Sequence, residues 1–84
     1  MIYDKFMNIR EAQTFSDAVV DQIKAEQLKQ GLSNYALAKK TGLSETTLSY
    51  IFRHQRHPTL YTLKIITTAL KISLADAIRN IEIK

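Results

Sequence analysis

The 84-residue sequence predicts an all-α domain of five helices, and three observations carry that prediction. Apolar residues recur three and four apart, as in Leu60, Leu63, Ile66 and Leu70, not in alternation. A hydroxyl residue precedes each apolar run, at Ser16, Ser33, Ser44, Thr59 and Ser73. Each can accept a hydrogen bond from backbone N–H groups left free in a first helical turn. The residues that break helices are few, namely Gly31, Gly42 and Pro58, and each falls where a periodic run stops or is about to restart.

These signals place helices at about 17–30, 34–40, 45–53, 60–70 and 74–82. In the first, Lys24 falls inside the arc marked by Val19, Val20, Ile23 and Leu28, so its buried face is the least defined. Residues 1–15 carry Ile2, Tyr3, Phe6, Met7 and Ile9 without a cap or a stop. They are read as an N-terminal arm, an extra helix or a docked extended segment, ahead of a main domain at 16–84. The second and third helices meet across Gly42, which can take the positive φ of a tight turn. Leu37 and the small Ala38 face inward on one side of it, and Leu48 and Ile51 anchor the other. On a helical wheel Glu45, Thr46, Ser49, Tyr50 and Arg53 fill a contiguous outward arc of about 140°. Such a corner lets one helix project while the other braces it.

Charge points the same way. The chain carries a net +4, and residues 33–64 account for all of it. They hold Lys39, Lys40, Arg53, Arg56 and Lys64 against Glu45 alone, which leaves seven bases and seven acids elsewhere. A localised basic excess is the footprint of a nucleic-acid binder, although a solvated lysine face looks the same from sequence. His54 and His57 lie in this window and would add charge beside phosphate when protonated.

The absence of cysteine excludes a disulfide framework and thiolate metal sites. No apolar run approaches the ~20 residues of a membrane span, and "MIYDKFMNIREA" lacks the pattern of a signal peptide. A cytoplasmic protein is expected. His54 and His57 stand three apart without a third ligand nearby, and no phosphate loop, carboxylate pair or nucleophile elbow is present. Neither catalysis nor a cofactor is expected.

The stretch "LSNYALAKKTGLSETTLSYI" resembles the helix-turn-helix of the Cro-and-repressor (XRE) family of DNA-binding regulators, with Ala38, Gly42 and Leu48 at its most characteristic positions. "RHPTLYTLKIITTALKISL" is similar to that family's downstream signature, and together the likeness spans about residues 17–78. The resemblance implies a compact five-helix, repressor-like DNA-binding domain whose third helix enters the major groove, commonly as a homodimer on a palindromic operator. By that likeness Glu45, Thr46 and Tyr50 match base-reading positions, with Ser49 a further candidate. Glu45 can equally serve the positive end of its own helix. Ser33, Asn34 and Ser44 sit at helix starts suited to phosphate, and Arg53, Arg56 and Lys39 or Lys40 would supply charge. The two lysines are equally readable as a solvated face.

Three positions depart from the family pattern. His54 and Lys71 stand where glycine is usual after a helix, and Phe52 stands where a charge is frequent. The reading is a sequence-specific transcriptional regulator, acting as a repressor. The alternatives are an antitoxin whose residues 1–15 meet a toxin, or a helix-turn-helix kept only for protein interaction.

Overall fold

The computed structural model describes residues 2–82, and side chains over residues 8–81. Five helices follow one another: α1 (Ile2–Lys29), α2 (Asn34–Thr41), α3 (Glu45–Phe52), α4 (Leu60–Ala69) and α5 (Leu74–Glu82). No strand occurs among the described residues. The last four begin where the hydroxyl caps predict. Ser33, Ser44, Thr59 and Ser73 each accept from the backbone N–H three residues on, at 3.0 to 3.1 Å.

The first helix starts far earlier than position 17, and Ser16 lies inside it rather than capping it. No glycine or proline precedes Gly31, and extending an existing helix by a residue is much easier than nucleating a new one. At ~1.5 Å per residue these 28 residues run about 42 Å, which accounts for the 45 Å long axis of the molecule. Residues 8–14 are exposed along this projecting half. The side chains of residues 1–7, expected to contribute to a partner surface, lie outside the described residues.

The core gathers Val19, Val20 and Ile23 from α1, Leu37 from α2, Leu48 and Ile51 from α3, and Ile66 and Leu70 at the end of α4. Burying each of the larger aliphatic side chains contributes about 1.5–3 kcal/mol. Phe15, Leu32, Ala38, Leu43, Phe52, Leu63, Ile72, Ile78 and Ile81 pack half-buried around them. Through these contacts α1 lies against α3 and α5, α2 against α3 and α4, and α4 against α5. Ala77 is buried, so much of the apolar stripe on α5 closes this core.

Two apolar residues of the periodic runs lie outside the core. Leu28 is 65% exposed, and the arc of α1 that turns inward ends on Gln27 at 1%. Leu60 is 68% exposed, because it opens α4 where the chain has not yet reached the core. Gln27 is tolerated inside because its groups are matched. Its amide donates to the Leu32 carbonyl at 3.0 Å and to Asn34 Oδ1 at 2.8 Å, while Lys24 Nζ donates to its Oε1 at 3.3 Å. That network ties the end of α1 to the start of α2. Gln30 does similar work further on, donating to the last carbonyl of the α4 turn, Leu70 O, at 2.7 Å.

Two of the positions that depart from the resembled pattern leave a mark. His54 and Lys71 both take left-handed backbone, at φ 62° and 59°. Each closes its helix with the paired bonds of a Schellman turn, Gln55 N–H to Tyr50 O and Ile72 N–H to Thr67 O among them. A side chain in that conformation costs about 1–2 kcal/mol, of which glycine's greater unfolded freedom returns part. Lys71→Gly is therefore expected to stabilise the domain by about 0.5–1 kcal/mol, a rise in Tm of about 4 °C. Thermal unfolding followed by circular dichroism checks it.

Candidate nucleic-acid interface

Three residues, Gly42, Leu43 and Ser44, make the corner between α2 and α3. Gly42 sits at φ 80°, and its N–H donates to Ala38 O at 2.9 Å, which ends α2. A Cβ there would meet no atom within 4 Å, so the backbone angle, not lack of room, is what calls for glycine. Thr41 Oγ1 donates back to Leu37 O at 2.8 Å and accepts from Leu43 N–H at 3.1 Å, stiffening the turn. Ser44 then starts α3, accepting from Thr47 N–H at 3.0 Å and donating to Thr47 Oγ1 at 2.9 Å. Leu37, Leu48 and Ile51 hold the corner from beneath, and Ala38 lies half-buried at the crossing.

With Leu48 and Ile51 turned inward, the opposite face of α3 is left to Glu45, Thr46, Ser49, Tyr50 and Arg53. Glu45, Thr46 and Arg53 are exposed, while Ser49 and Tyr50 are half-buried. Glu45 lies in the first turn, where the helix dipole favours an acid. Arg53 and Arg56 make no ion pair among the described residues, yet both are held. Their guanidinium groups lie 5.7 and 5.2 Å from the Tyr50 ring centre, and Arg53 Nε donates to Ser49 O at 3.3 Å.

A helix-turn-helix family model matches residues 23–76. The chain belongs to the helix-turn-helix family. Three solved structures of the restriction-modification controller protein C.Esp1396I resemble it closely. A crystal structure of one point mutant shares 30% identity over 80% of this chain and 84% of that one, with a TM-score of 0.70. A second mutant shares 26% over 83% and 97%, at 0.71, and the wild-type protein 29% over 83% and 92%, at 0.71. No curated protein sequence matches significantly. The XRE-type likeness read from residues 32–51 therefore holds, and this helix-turn-helix protein is a DNA-binding transcription regulator.

Within the helix-turn-helix domain, the expected phosphate ligands stand in different situations. Ser33 uses its oxygen lone pair on Ala36 N–H and keeps its hydroxyl proton free, whereas Ser44 has committed both. Asn34 turns Oδ1 inward to Gln27 and to Lys24 Nζ at 3.4 Å, leaving its amide protons unused. Lys39 and Lys40 are exposed in the last turn of α2, with Lys39 Nζ 5.0 Å from the Tyr35 ring centre. His57 is exposed.

His54 reaches back to α1 while staying partly exposed. Its Nδ1 lies 3.3 Å from Asp17 Oδ1 and its Nε2 2.8 Å from Asp21 Oδ1. Both ring nitrogens thus lie against carboxylates of α1, and neither is left turned outward toward a phosphate. Sequence reading missed this clasp, as it missed Lys24, whose ammonium rests 4.8 Å from the centre of the Phe52 ring. Asp17 and Asp21, four apart, share one helix face and were visible as a pair; their partner was not. Among the described residues no group of three or more His, Asp or Glu side chains is arranged to hold a metal ion, and no helix is long and apolar enough to cross a membrane.

Proposed function

We propose that this regulator is a repressor that places α3 in the major groove of a two-fold symmetric operator, as a homodimer. One observation carries the reading. Glu45, Thr46 and Ser49 lie together on the outward face of α3, beside two arginines that pair with no acid among the described residues. A carboxylate can accept from a cytosine amine, and threonine offers a hydroxyl and a methyl for thymine. Arg53 and Arg56 suit the phosphates on either side, with Ser33, Asn34, Lys39, Lys40 and the backbone at Ser44 as further contacts.

The likeness to a restriction-modification controller protein supports a regulatory role for this DNA binding. A second reading, an antitoxin or other protein partner engaged through residues 1–15, draws on the projecting half of α1, exposed over residues 8–14. Duplex binding measured against salt tests the first reading. Each neutralised phosphate should add about −0.9 to the slope of log K against log salt. A chain that binds no duplex at low salt is not a repressor. A sedimentation mass twice the 9.6 kDa of one chain would support the dimer.

A further inference from the structure

We infer that Tyr50 serves DNA binding as a positioning residue, its ring holding the guanidinium groups of Arg53 and Arg56 together at the end of α3 while its hydroxyl reads no base. The inference rests on the DNA-binding reading above and deepens it. Tyr50 is half-buried on α3, so its ring is a fixed platform. Arg53 lies one turn further along the same helix. Arg56 is beyond the helix end and reaches the ring only because the chain doubles back. That return is made by the left-handed His54 and by the 2.9 Å bond from Gln55 N–H to the carbonyl of Tyr50 itself. His54 is in turn clasped by Asp17 and Asp21, so α1 braces the loop that delivers Arg56.

Both guanidinium carbons then fall within ~6 Å of one ring centre, the range of cation–π attraction. Two like charges repel, and two long side chains would otherwise sample many rotamers. The shared ring offsets the first and restricts the second, and the π-surface so occupied is withdrawn from bases. Tyrosine in this role matters for its ring. Phenylalanine can replace it, and an aliphatic or amide side chain cannot.

The test is binding of the full chain to the duplex it enriches from a random pool and to a random duplex, each against salt. Tyr50→Leu is expected to weaken both by the same factor, about five- to thirty-fold for two exposed cation–π contacts. Tyr50→Gln should match it, with the ring lost and a polar tip kept, and guards against a fold defect peculiar to leucine. Tyr50→Phe should restore parent affinity. In an Arg53→Ala/Arg56→Ala background, Tyr50→Leu should cause no further loss. Three results would overturn the inference: Phe losing as much as Leu, Leu losing only on the enriched duplex, or an undiminished loss without the arginines. All three leave DNA binding in place. A parent chain that binds neither duplex removes the reading beneath.

Discussion

Leu48→Ala is expected to lower the unfolding free energy by about 2–5 kcal/mol. Leu48 is completely buried, and it enters the core from the inner face of α3, which packs against α1 and α2. Removing three carbons there takes away transfer free energy and leaves a cavity that close-packed neighbours fill only in part. A domain of 84 residues has only about 4–12 kcal/mol in total, at ~0.05–0.15 per residue. The fall in Tm should exceed about 10 °C, and some of the protein should be unfolded at 37 °C. Thr46→Ala, on the exposed face of the same helix, should change stability by less than about 0.5 kcal/mol. Thermal melts of the two variants read the burial pattern of α3 directly. Equal melting points would mean that α3 is not anchored by Leu48.

Removing both arginines is expected to give the largest change in binding. An Arg53→Ala/Arg56→Ala protein should lose about a hundredfold in affinity, taking hydrogen bonds to charged groups at about 1.5 kcal/mol each. It should lose this on any duplex, because phosphate contacts carry no sequence information. Its salt slope should be shallower by about 1.8, two contacts at ~0.9 each. Neither arginine is buried, so the melting point should move little. Fluorescence anisotropy across a salt series measures affinity and slope together. An unchanged slope with affinity lost on one sequence alone would make the arginines base readers instead.

How much of this could be read beforehand follows from the range of each interaction. The starts of α2, α3, α4 and α5 were legible because Ser33, Ser44, Thr59 and Ser73 act within a single turn. Gly42 was legible because a positive φ is a property of one residue. The start of α1 was not, since Ser16 could cap only if the chain broke there, and nothing breaks it. Gln27 looked like a surface amide, and its partners come from the turn at Leu32 and from α2. The clasp on His54 joins residues far apart in sequence and depends on how α1 lies on α3. The meeting of Arg56 with Tyr50 depends on a left-handed histidine that family likeness had marked only as a departure. Local chemistry marked the candidate interface, and tertiary packing decided which of its side chains are free.

The central claim is that the outward face of α3 reads DNA sequence. Selection of bound duplexes from a random pool, run in parallel with the parent and with Thr46→Ala, tests it most directly. The parent should enrich a two-fold symmetric sequence. Thr46→Ala should relax the preference at one or two base pairs of each half-site and lose about 1–3 kcal/mol on the parent's sequence, with random-duplex binding nearly unchanged. The same enriched sequence at the same affinity for both proteins, or no enrichment by the parent, would contradict the claim.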